Sequence, residues 1–93
     1  MTELEKYIID QLKQLVPNAV QFEVRANIGD KSSSVEFFAT IDGTKYQCYD
    51  MIDNGRIKEK DFDVMVKQLA KYIRTCSEYR PGEINKFSFV AEA

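Results

Sequence analysis

The sequence predicts an α+β fold with the element order α-β-β-β-α-β, built as one four-stranded antiparallel sheet with two helices packed on one face. Three observations point there. Two segments carry apolar residues at three-to-four spacing, four carry them at every second position, and an Asp42-Gly43 pair joins two of the alternating runs. At 93 residues the chain has room for a single domain, residues 1–93, with one modest core.

Residues 2–16 are predicted helical. Leu4, Ile8, Leu12, Leu15 and Val16 follow one helical face, and Ile9 widens the stripe. Thr2 with Glu5 three residues on forms a capping box, and Pro17 ends the helix.

Residues 20–28 change to a period of two. Val20, Phe22, Val24, Ala26 and Ile28 face one way, with Gln21, Glu23, Arg25 and Asn27 on the other. Gly29-Asp30-Lys31-Ser32 is read as a loop, residues 33–41 as a second strand and 44–50 as a third. A four-residue loop at 29–32 sets Phe22 opposite Ala39, Val24 opposite Phe37 and Ala26 opposite Val35. A two-residue turn at Asp42-Gly43 sets Ala39 opposite Tyr46, Phe37 opposite Cys48 and Val35 opposite Asp50. A slip of one residue would turn every apolar side chain to the wrong face. The same register turns Glu23, Arg25, Glu36, Phe38, Gln47 and Tyr49 outward, with Arg25 opposite Glu36 and Glu36 opposite Tyr49.

Residues 51–58 are expected to form a polar connection containing Asn54-Gly55. A second helix is expected at about 60–78, with Phe62, Met65, Val66, Leu69, Ile73 and Cys76 along its inner stripe. Arg80-Pro81-Gly82 marks a turn. A last strand at 84–91 directs Phe87, Phe89 and Ala91 inward.

Composition narrows the function. Apolar residues make up 44% of the chain and five Tyr with six Phe supply most of the core volume, as expected of a globular protein. No run reaches the roughly 20 apolar residues that span a bilayer, so no membrane association is expected. The opening residues mix charges of both signs, unlike a signal peptide, and a cytoplasmic protein is expected. Cys48 and Cys76 are too few and too far apart for a disulfide framework and are expected to be reduced and buried. The net charge of −2 lacks the concentrated basic surface of a nucleic-acid binder, so no direct contact with nucleic acid is expected.

There is no histidine, which removes the commonest general base and metal ligand. The four glycines stand far apart, without a phosphate-cradling loop. Asp50-Met51-Ile52-Asp53-Asn54-Gly55 faintly echoes a calcium loop but lacks its alternating ligands and terminal Glu, and an acidic turn is the better reading. Lys67, Lys71, Arg74 and Arg80 are read as a solvated helix face, since no exposed aromatics accompany them. No catalytic site, metal or cofactor is expected. Phe38 is the exception among the outward residues. A large aromatic side chain in a polar surround is covered by a terminal segment, lying flat on the sheet, or serving as an anchor for a partner.

The segment Ser33-Ser34-Val35-Glu36-Phe37-Phe38, then Tyr49-Asp50-Met51-Ile52, then Lys60-Asp61-Phe62-Asp63 before a Leu/Lys-rich helix, resembles the YezG-like immunity proteins. The leading helix and the closing Phe87-Ser88-Phe89 strand extend that similarity over most of the chain. The resemblance implies an antitoxin that binds and neutralises a cognate toxin domain of a bacterial polymorphic or contact-dependent growth inhibition system, often a nuclease. The basic cleft of such a toxin would attract carboxylates. The expected partner-binding residues are therefore the anchors Phe38 and Tyr49 with Glu23, Glu36, Asp50, Asp53 and Glu59 around them. The alternative is a small acidic secretion chaperone. A monomer when free fits the first reading, and a tight dimer would fit the second.

Overall fold

The computed structural model covers residues 1–93. Helix α1 spans Glu3–Leu15, strands β1, β2 and β3 span Gln21–Ile28, Ser33–Ile41 and Thr44–Gln47, helices α2 and α3 span Cys48–Asp53 and Glu59–Ile73, and strand β4 spans Asn85–Glu92. The strands form one antiparallel sheet in the order β3-β2-β1-β4. The first three strands meander, and β4 returns beside β1. The fold is α+β, as the periodicities predict.

Thr2 caps α1 as expected: its hydroxyl accepts from the Glu5 amide at 3.1 Å, and the Glu5 carboxylate accepts from the Thr2 amide at 3.0 Å. Leu4, Ile8, Ile9 and Leu12 bury the inner stripe of α1, and Phe62, Met65, Leu69, Ala70 and Ile73 bury that of α3. The two helices also meet where Tyr7 stacks on Tyr72, with ring centroids 3.8 Å apart.

Between β1 and β2 the register is the one the alternation requires. Phe22 faces Ala39, Val24 faces Phe37, Ala26 faces Val35, and Arg25 faces Glu36. Phe22 and Phe37 are wholly buried and meet edge to face at 5.9 Å, inside a core of 22 buried apolar residues that holds no buried polar side chain. Val20 departs from the expected alternation. Its amide bonds to the Thr40 carbonyl, opposite which Gln21 already stands, so two residues share one partner. That bulge turns Val20 outward, and it is 61% exposed.

The third strand is shorter than expected. Pairing stops at Phe38 with Gln47, and residues 48–53 form a helix where a strand end and a polar connection were anticipated. A strand through residue 50 would have carried the Asp50 carboxylate onto the core face beside Val35, at a large desolvation cost. The helix instead leaves Asp50 exposed in its first turn, favourable to the helix dipole, and buries Cys48 and Met51 three residues apart. Gln47 starts the turn: its side-chain oxygen accepts from the amides of Tyr49 at 2.9 Å and Asp50 at 3.3 Å.

Helix α3 ends at Ile73, five residues before the expected position. Tight turns follow, with the Thr75 amide bonded to the Tyr72 carbonyl and the Cys76 amide to the Ile73 carbonyl. Arg74 leaves the helix surface and donates to the carbonyls of Gly29 at 2.9 Å and Ser32 at 3.1 Å. Cys76 is accordingly half-buried, whereas Cys48 is fully buried; neither is bridged. No helix is long and apolar enough to cross a membrane.

Candidate partner-binding surface

A sheet with helices on one side leaves its other side open. Along β1, β2, β3 and β4 that open face carries Glu23 and Arg25, Glu36 and Phe38, Lys45 and Gln47, and Lys86 to Glu92 at alternate positions. Every one of these outward residues is exposed or half-buried. Phe38 is half-buried at the middle of the face, between Glu23 on β1 and Gln47 on β3.

Lys45 organises the surroundings of Phe38. Its Nζ lies 2.6 Å from Glu23 Oε2 and 5.3 Å from the centre of the Phe38 ring. One ammonium thus serves a carboxylate and an aromatic face together. The Lys45 hydrogen bond and charge hold the Glu23 carboxyl below its ordinary value, with a smaller pull from Arg25. Beside them, Gln47 Nε2 donates to Glu36 Oε2 at 3.4 Å. Lys45 was absent from the sequence expectation. Its signal was there, since the hairpin register sets it opposite Thr40, one step diagonal from Phe38.

The seven expected residues divide into two groups. Glu23, Glu36 and Phe38 share the open sheet face, as anticipated. Tyr49 does not join them. As part of α2 it stands at the edge of the sheet, its ring edge-on to Phe62 of α3 at 5.8 Å and its hydroxyl donating to the Val35 carbonyl at 3.5 Å. The short third strand is the cause, because residue 49 no longer continues the alternation that would have paired it with Glu36. Burial pushes the Tyr49 phenol above its ordinary value, aided by Cys48 and Glu36. Asp50 and Asp53 lie exposed on α2, and Glu59 in the first turn of α3. Gln47 joins the groups, reaching Glu36 on one side and capping α2 on the other.

At the edge itself, β2 continues past the end of β3. Tyr49 covers the Val35 carbonyl there, and beyond it lies a groove of about 310 Å³ lined by Ser33, Val35, Tyr49, Phe62, Val66 and Lys67.

The charges of the open face balance, with Glu23, Glu36 and Glu92 against Arg25, Lys45 and Lys86. The carboxylates of Asp50, Asp53 and Glu59 take part in no ion pair within the chain, unlike that of Glu23.

No family model, curated protein or solved structure matches the chain.

Proposed function

We propose that this chain works by binding another protein through its open sheet face and the α2 edge, and that it performs no chemistry of its own. The observation that carries the reading is Phe38: a large aromatic ring left on an open, mostly polar surface, with Glu23, Lys45 and Gln47 around it. An aromatic centre with a polar rim is the composition of an interface hot spot. The apolar stripes of α1 and α3 are spent on the core, which leaves the sheet face and the sheet edges for a partner.

The partner we propose is a bacterial toxin domain, following the resemblance of Ser33–Phe38, Tyr49–Ile52 and Lys60–Asp63 to YezG-like immunity proteins. Such a protein acts by stoichiometric occupation. A nuclease toxin is basic where it holds nucleic acid, and the exposed carboxylates of Asp50, Asp53 and Glu59, in no ion pair within the chain, would meet it. Neutralising such a toxin places the chain in the cytoplasm, where the nucleic acid lies.

The direct trial is growth protection. The toxin domain encoded beside this chain is expressed from an inducible promoter, with and without it. Protection together with a one-to-one complex of the purified proteins supports the reading. Loss of growth despite full expression of both chains contradicts it.

A further inference from the structure

Strand β4 is an edge strand, and its inner face is incompletely covered. The inward residues of β1, Phe22, Val24, Ala26 and Ile28, are wholly buried, yet their neighbours Phe87, Phe89 and Ala91 on β4 are only half-buried. A groove of about 300 Å³ separates β4 from the first turns of α1, with Leu4 and Ile8 on one wall and Phe87 and Phe89 on the other.

The outer edge of β4 is equally open. The Ala93 amide bonds to the Val20 carbonyl, continuing the register in which Phe22 faces Ala91. Antiparallel bonding alternates, so Phe87, Phe89 and Ala91 turn their backbone groups toward β1. Lys86, Ser88, Val90 and Glu92 then direct their N–H and C=O groups away from the sheet. This edge is eight residues long, with no proline, and with charges only at Lys86 and Glu92. Protected edges are usually shorter, bulged, covered or charged along their length.

We propose that the edge is taken by a second copy of this chain, with the two β4 strands paired antiparallel about a two-fold axis at Phe89. The β4 sequence specifies that register. Centring on Phe89 sets Lys86 opposite the partner's Glu92, Ser88 opposite the partner's Val90, and Phe87 opposite the partner's Ala91. Opposite charges then meet at both ends, every outward backbone group finds a partner, and the two Phe89 rings meet in a closely spaced pair. Centring on Ser88 would put Glu92 against Ile84, outside the strand, and centring on Val90 would put Glu92 against Ser88, so neither sets Lys86 against Glu92. The paired state joins two four-stranded sheets into one of eight strands and extends each apolar groove across the axis. It rests on the backbone edge of β4, at the far side of the sheet from β3 and α2, and shares with the proposed partner-binding surface only the outward side chains of β4. The contact is a narrow one, and the pair is weak and concentration-dependent, unlike the tight dimer of a chaperone.

Sedimentation velocity of the full chain between about 10 μM and about 1 mM reads the pairing, beside amide hydrogen exchange at both limits. The expected result is a rise toward the dimer mass, with the amides of Lys86, Ser88, Val90 and Glu92 gaining protection as it forms. Lys86→Glu sets like charges together twice and should weaken association about tenfold; Glu92→Lys should do the same, and the double exchange K86E/E92K should restore it. Ser88→Pro removes an outward N–H without touching the β1 ladder and should abolish pairing, with thermal unfolding as the check that the domain still folds. A monomer at every concentration overturns the proposal, as does a dimer indifferent to Lys86→Glu, or a double exchange that does not recover. If the amides gain protection only when a different protein is added, the edge belongs to that protein and the second copy is ruled out.

Discussion

Asp30, in the turn between β1 and β2, accepts a hydrogen bond from the phenol of Tyr79, 49 residues further along the chain. Its other oxygen accepts from the Gly82 amide at 2.9 Å. Close by, Arg74 grips the Gly29 and Ser32 carbonyls, and the Asn85 side-chain amide donates to the Ile28 carbonyl at 3.3 Å. One small turn thereby fastens the whole connection from α3 to β4. Without it β4 would keep only its ladder with β1 and the packing of Phe87, Phe89 and Ala91 on the core.

The clasp has a pH signature. The bond from Tyr79, then that from Gly82, hold the Asp30 carboxyl below its ordinary value near 3.8. A depressed carboxyl stabilises the fold above its ordinary value, and the contribution is lost as pH falls through the lower, folded one. The same bond pushes the Tyr79 phenol above its ordinary value near 10, so its contribution holds below that pH and is lost as pH rises through the raised one. Thermal unfolding between about pH 2 and about pH 6 should therefore show Asp30→Asn with a shallower acid limb than the wild type. Parallel profiles would mean the clasp contributes nothing.

Phe37 and Phe38 are neighbours with opposite fates, and their truncation should separate them. Phe37 is 0% exposed, between Phe22 and Phe62, so Phe37→Ala should cost about 3–5 kcal/mol, a large share of what holds a domain of this size. Phe38→Ala should cost less than about 1 kcal/mol, since its ring lies on the open face. Urea unfolding of the two variants reads the difference. Equal costs would show that the sheet faces are wrongly assigned.

Gln47 holds α2 in place through two amides and one carboxylate. Gln47→Ala should lower stability by about 1 kcal/mol, and faster amide exchange should be confined to α2. Unchanged exchange at Tyr49 and Asp50 would deny the cap its role.

The two thiols should differ in rate. Desolvation pushes both above their ordinary value, but Cys48 is fully buried against the Phe37 backbone while Cys76 is half-buried after α3. Thiol labelling of the native protein should modify Cys76 first and reach Cys48 only through unfolding. Equal rates would contradict the burial of Cys48.

The parts legible in the sequence are those where a period repeats often enough. Eight residues of β1 against β2 exclude the one-residue slip that would expose Phe22, Val24 and Phe37 together, and the four-residue loop at 29–32 selects among the rest. Six residues of α2 contain less than two turns, so Cys48 reads equally well as the inward residue of a strand end and Met51 as the start of the connection; the warning lay in Asp50, which that strand would have buried. The misplacement of Tyr49 follows from the same error. Phe38 was legible because outward position follows from register alone, whereas the bridge from Lys45 to Glu23 and Phe38 depends on side-chain reach across two strands. The half-burial of Phe87 and Phe89 depends on where α1 stops covering the sheet, which alternation cannot report.

The central claim is that a partner sits on Phe38, and calorimetric titration of the toxin domain proposed as that partner into wild type and Phe38→Ala tests it most directly. With thermal unfolding confirming the fold, the variant should bind more weakly by roughly 2 kcal/mol, about 30-fold. Charge reversal at Asp53 and Glu59 together should slow association while leaving stability unchanged. A folded Phe38→Ala protein that binds with wild-type affinity would contradict the claim and place the interface on another surface.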